Sequence, residues 1–101
     1  MFMHMSIHYP KDKYKNQLIN SMQRFKNAPE GSKGFIDGTV LDDENTGRFV
    51  GMIKWNSKEN LEKNIHLATE AVKNDNFDKW ESQHPESFYL HEQGLLPSHQ
   101  L

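Results

Sequence analysis

The chain has 101 residues, 26% charged and 35% apolar, with six histidines, eleven aromatic side chains, no cysteine and a formal charge of −2. The length allows one domain with a single small core, and the missing cysteine excludes a disulfide framework, a thiolate metal site and a thiol nucleophile. Twelve basic residues are scattered among fourteen acidic ones, so no stripe exists to neutralise phosphates, and nucleic acid is not an expected partner.

The first nine residues alternate as a strand does: Met3, Met5 and Ile7 fall on one face, His4, Ser6 and His8 on the other. This segment lacks the basic start and apolar run of a secretory leader, and no run in the chain approaches the ~18 apolar residues that span a bilayer. A cytoplasmic location without membrane contact is therefore expected. Pro10 ends the strand. Asp12 is the predicted N-cap of a helix reaching Asn27, with Tyr14, Leu18, Met22 and Phe25 as its buried stripe. The glycine- and proline-containing stretch from Ala28 to Gly34 breaks it.

Strands are predicted from Phe35 to Leu41 and from Arg48 to Trp55, joined as a hairpin by Asp42-Asp43-Glu44-Asn45-Thr46-Gly47. Ser57 caps the next helix, which carries Leu61, Ile65, Ala68 and Val72 on its apolar face and a favourable Glu59 and Lys63 pair. Asn74-Asp75-Asn76 interrupts it, and Phe77 with Trp80 indicates one more short helical stretch. A last strand runs from Ser87 to Glu92, with Phe88 and Leu90 on one face, Tyr89 and His91 on the other. Residues 1–92 form the expected domain. The tail, 93–101, carries Leu95, Leu96 and Pro97 and is a candidate for docking on a partner subunit.

The order βαββαβ, with right-handed crossovers, gives an α+β, ferredoxin-like antiparallel sheet in the order 4-1-3-2 with both helices on one face. The other face is then uncovered, and a second copy of the chain is its expected cover. If the more continuous apolar set meets the helices, Met3, Met5, Ile7, Phe49, Gly51, Ile53 and Trp55 point inward. His4, Ser6, His8, Lys54, Tyr89 and His91 then share the open face, joined by Asp37 and Thr39 on the preferred reading of an ambiguous second strand. His4 and His8 stand about 13 Å apart at ~3.3 Å per residue, too far for one metal ion, and neither a metal-binding helix motif nor a carboxylate cluster accompanies them. His66, His84 and His99 are dispersed.

Gly47-Arg48-Phe49-Val50-Gly51-Met52-Ile53-Lys54-Trp55-Asn56-Ser57-Lys58-Glu59-Asn60-Leu61 resembles the strand, tryptophan and serine-capped helix of the antibiotic biosynthesis monooxygenase family. The resemblance extends over about residues 1 to 92. It implies a dimeric α+β barrel in which two sheets pack face to face around small cavities. Members oxidise polycyclic aromatic or quinol substrates with molecular oxygen and no metal or flavin, while relatives cleave haem. The haem-cleaving relatives rely on an asparagine in the first strand and a tryptophan in the second helix. This chain has His4, Ser6 and His8 in the strand, and Asn64 and Ile65 where the tryptophan would fall.

A cofactor-independent monooxygenase acting on a small hydrophobic or aromatic molecule is the function this implies. In that reading His4 or His8 is the general base, and Ser6, Asp37, Lys54, Tyr89 and His91 bind and orient the substrate. The alternative is a non-catalytic small-molecule-binding or stress-response dimer.

Overall fold

The computed structural model describes residues 1–93. Its elements are β1 (Phe2–His8), α1 (Lys15–Asn27), β2 (Phe35–Asp42), β3 (Phe49–Trp55), α2 (Lys58–Ala71), α3 (Phe77–Trp80) and β4 (Glu86–His91). The four strands form one antiparallel sheet in the order β2-β3-β1-β4, the predicted ferredoxin-like arrangement. Residues 94–101, with most of the predicted docking tail and His99, lie outside the described residues. Among the described residues no helix is long and apolar enough to cross a membrane.

Local chemistry accounts for most boundaries. Ser57 Oγ accepts the Asn60 N–H (3.1 Å) and starts α2, satisfying one of the four amide groups that a helix start leaves open. Asn76 does the same for α3 through the Lys79 N–H (3.2 Å). In the hairpin between β2 and β3, the Asp43 carboxylate accepts from the Asn45 N–H, the Thr46 hydroxyl and the Arg48 guanidinium. This set of bonds holds its carboxyl down at about 2, the Arg48 hydrogen bond contributing most. Gly34 ends the α1–β2 connection at φ +83°, and any Cβ there would lie 2.5 Å from Asn56 and Asn60 atoms. Only glycine satisfies both demands. Asp12 is not the cap of α1. It opens a one-turn 3-10 helix (Asp12–Tyr14) that leads into α1 without a side-chain cap.

Two apolar clusters occupy the space between sheet and helices. Ile53, Trp55, Leu61 and Ala68 form one, with Phe2, Phe25, Phe35 and Ile65 packed against it. Leu18, Met22 and Phe49 form the other, flanked by Ile19, Val40, Phe77 and Trp80.

The predicted facing of β1 is reversed. His4 pairs with Ile53, Ser6 with Gly51 and His8 with Phe49, and residues paired across an antiparallel ladder project to the same side. Because Phe49, Ile53 and Trp55 are buried under the helices, His4, Ser6 and His8 are buried there too, at 5%, 9% and 9% exposure. Met3, Met5 and Ile7 face outward beside Leu90, Phe88 and Val50. A one-residue irregularity between Phe35 and Asp37 settles the ambiguous second strand. Phe35 stays with Trp55 on the helix side, while Asp37 and Thr39 join Lys54 and Met52 on the open side.

Candidate functional site

Alternation along β1 sends His4, Ser6 and His8 into the space beneath the helices, where they form part of the floor of a cavity of about 250 Å3. Gly51 and Ile53 of β3 complete the floor. Ser21, Met22 and Phe25 of α1 form one wall, and Phe77, Ser87 and Tyr89 stand toward α3 and β4. Gly51 is what leaves room here: a Cβ at this position would lie 2.9 Å from Ser6 Oγ and 3.3 Å from Met22 Cε.

Ser6 and His8 of the cavity floor are hydrogen-bonded in series with Glu81, which does not itself line the cavity. Ser6 Oγ lies 3.2 Å from His8 Nε2, and His8 Nδ1 lies 3.0 Å from Glu81 Oε2. Glu81 is 4% exposed, and its second oxygen accepts the Tyr9 N–H at 2.8 Å. A carboxylate can only accept, so Nδ1–H donates to Glu81, and in the neutral imidazole of that tautomer Nε2 accepts from the Ser6 hydroxyl. The segment that delivers Glu81 is fastened to the end of β1 by Lys11 N–H to Trp80 O (2.9 Å), Ser82 N–H to Tyr9 O (2.8 Å) and a bridge between Pro10 and Glu81. The series is thus held by backbone contacts on both sides of the carboxylate.

His4 has a different environment. Its ring packs against Phe25 (5.4 Å between centroids) and edge-on to Tyr89 (5.2 Å). Burial, with a smaller contribution from His8, lowers its pKa to about 4, so at neutral pH it is an uncharged aromatic wall. Ser21 is 1% exposed and belongs to the cavity wall, and its Oγ has no hydrogen-bond partner among the described residues.

The residues singled out in the sequence are therefore divided between two faces. His4, Ser6, His8 and Tyr89 meet at the cavity. His91 is on the same side of the sheet but pairs with Phe2 rather than His4, and its ring lies 5.8 Å from that of Phe2, away from the cavity floor. Asp37 and Lys54 are register partners on the opposite face. Asp37 accepts the N–H of the neighbouring Gly38, so the sheet itself separates both from His4 and His8. Glu81, Ser21 and Gly51 were not singled out. Gly51 and Ser21 each left a sign, a glycine inside an apolar strand and a hydroxyl within an apolar helix stripe. Glu81 left none. Among the described residues no group of three His, Asp or Glu side chains is placed to hold a metal ion.

No protein-family model matches the chain, and no curated protein sequence matches it. Solved structures do. Rv0793 from Mycobacterium tuberculosis superposes with a TM-score of 0.77 at 8% identity, over 93% of this chain and 96% of that one. An antibiotic biosynthesis monooxygenase gives 0.71 at 11% identity, over 93% and 100%. The heme-degrader MhuD from Mycobacterium tuberculosis, solved with two hemes in its active site, gives 0.67 at 12% identity, over 95% and 99%. At these identities the likeness is one of fold, and the chain has the monooxygenase-like, ferredoxin-like α+β fold.

Proposed function

We propose that this chain is a cofactor-independent monooxygenase acting on a small phenolic or enolic aromatic molecule held in the cavity beneath the helices. The observation that carries the reading is the Ser6, His8 and Glu81 series ending at an aromatic-lined cavity. The lone pair on His8 Nε2 draws the proton of Ser6 Oγ, and Ser6 in turn takes the proton of a substrate hydroxyl. Glu81 stabilises the imidazolium that forms. The resulting electron-rich anion reacts with molecular oxygen. One oxygen atom stays on carbon, and the other leaves as water with two substrate hydrogens. His8 is the base in this scheme, and His4, with its pKa near 4, supplies an apolar ring face. Asp37 and Lys54 are left out of the substrate site because they lie across the sheet from it.

Haem does not fit this site. Both ring nitrogens of His8 are engaged, His4 is enclosed between Phe25 and Tyr89, and about 250 Å3 is less than the ~300–1,000 Å3 typical of pockets for drug-sized ligands. The open sheet face is assigned to a second copy of the chain, with residues 1–92 as the folded unit and the protein in the cytoplasm. Met3, Met5, Ile7, Val50, Met52, Phe88 and Leu90 give that face an apolar patch, which a lone subunit would expose to water at a cost.

Oxygen uptake with 1-naphthol as the probe tests the chemistry. The wild-type protein is expected to consume oxygen and to form a product containing one atom from 18O2. His8→Ala, folded by circular dichroism, loses at least about 100-fold of that rate. Equal rates in the two proteins would rule out His8 as the base.

A further inference from the structure

The same hydrogen-bonded series supports a second chemistry that requires no oxygen. We propose that Ser6 is a nucleophile and that the chain hydrolyses esters of small carboxylic acids through an acyl-Ser6 intermediate. The connectivity carries the inference: hydroxyl to Nε2 at 3.2 Å, Nδ1 to carboxylate at 3.0 Å, and carboxylate to the Tyr9 N–H at 2.8 Å. This is the order of nucleophile, base and orienting acid in which a serine is activated, recognised by geometry rather than by fold or sequence position. A serine and a histidine two residues apart on one strand supply the first two groups, and the backbone clamp around Glu81 fixes the third.

Two features of the cavity suit acyl transfer. Gly51 stands opposite Ser6 Oγ and has no Cβ, which would press on that oxygen at 2.9 Å, so the hydroxyl is left undisplaced at the cavity. Ser21 belongs to the same cavity wall, and its Oγ is buried without a partner among the described residues. A rotation of its side chain would turn this hydroxyl toward the oxygen that becomes negative during attack. Met22, Phe25, Ile53 and Phe77 make the surrounding wall apolar, and about 250 Å3 accommodates a short-chain or single-ring acyl group rather than a fatty one.

Water is the co-reactant. Ser6 Oγ bonds to the ester carbonyl carbon as its proton passes to His8 Nε2. The bond from carbon to the alcohol oxygen then breaks, and the alcohol leaves with that proton. Water, losing a proton to Nε2, attacks the acyl carbon. The bond to Ser6 Oγ breaks, the proton returns to Oγ, and the carboxylic acid is released.

A fluorophosphonate probe and p-nitrophenyl butyrate, both used on the full chain without oxygen, test the proposal. Mass spectrometry is expected to find one adduct on the wild-type protein, at Ser6. Ser6→Ala removes it and lowers ester hydrolysis at least about 100-fold, Ser21→Ala lowers hydrolysis by roughly 10²-fold with the adduct site unchanged, and p-nitrophenyl palmitate is not turned over. Wild-type protein left unlabelled, an adduct at another residue, or Ser6→Ala hydrolysing the butyrate at the wild-type rate would overturn it. Because the labelling is read on the unaltered chain, the proposal is tested even if a variant fails to fold.

Discussion

Two histidines four residues apart on one strand receive opposite treatments. His8 is hydrogen-bonded at both ring nitrogens, whereas His4 is enclosed by aromatic rings and held neutral, with a pKa of about 4 against an ordinary 6.5. Between those two values the unfolded chain binds the His4 proton and the folded chain does not, so stability falls as pH drops through this window. The His4 contribution is absent above about pH 6.5 and reaches ~3 kcal/mol near pH 4. His4→Phe keeps a ring between Phe25 and Tyr89 and removes the titration. Urea unfolding as a function of pH is expected to show a shallower loss for this variant between pH 6.5 and 4, and parallel curves would contradict the account. This distinction was not legible in the sequence, where the two histidines have the same alternation. It arises because Glu81, 73 positions from His8, reaches one and not the other.

At the level of elements, alternation identified two faces of β1 but not which one the helices cover. The rule that the more continuous apolar set faces inward fails because the outward face is apolar as well, with Met3, Met5 and Ile7 beside Phe88, Leu90 and Val50. Register decides instead: once Ile53 and Trp55 are under the helices, their partners on β1 must be His4 and Phe2. The Ser57 cap and the short α3 were legible because each depends on local chemistry, and the strand order because crossover handedness restricts it. The cavity was not, because it depends on a glycine opposite a serine across a ladder. Gly51→Ala tests that opening. Ser6 Oγ and Met22 Cε, the atoms a Cβ would meet, are side-chain ends that can turn aside, so urea unfolding is expected to lose no more than ~1–3 kcal/mol. Ser6 swings off His8 in doing so, and oxygen uptake with 1-naphthol falls at least about tenfold. Unchanged turnover would show that the Ser6 to His8 bond is dispensable.

For the molecule as a whole, the sheet divides the labour. One face, under the helices, holds the hydrogen-bonded series and the cavity. The other carries an apolar patch around Met5 with Asp37 and Lys54 beside it, and on the proposed reading it meets a second copy. Sedimentation at micromolar concentration is expected to give a dimer for the wild-type chain and a folded monomer for Met5→Glu, which places a charge in the middle of that face. A monomeric wild-type chain would contradict the pairing. On the proposed function, small aromatic molecules enter beneath the helices and meet His8. Titrating 1-naphthol into isotopically labelled protein, with backbone amides and histidine ring nitrogens followed by NMR, tests it most directly. Shifts centred on Ser6, His8, Ser21, Gly51 and Tyr89 are the predicted result, and shifts confined to Met3, Met5, Asp37 and Lys54, or none at all, would contradict it.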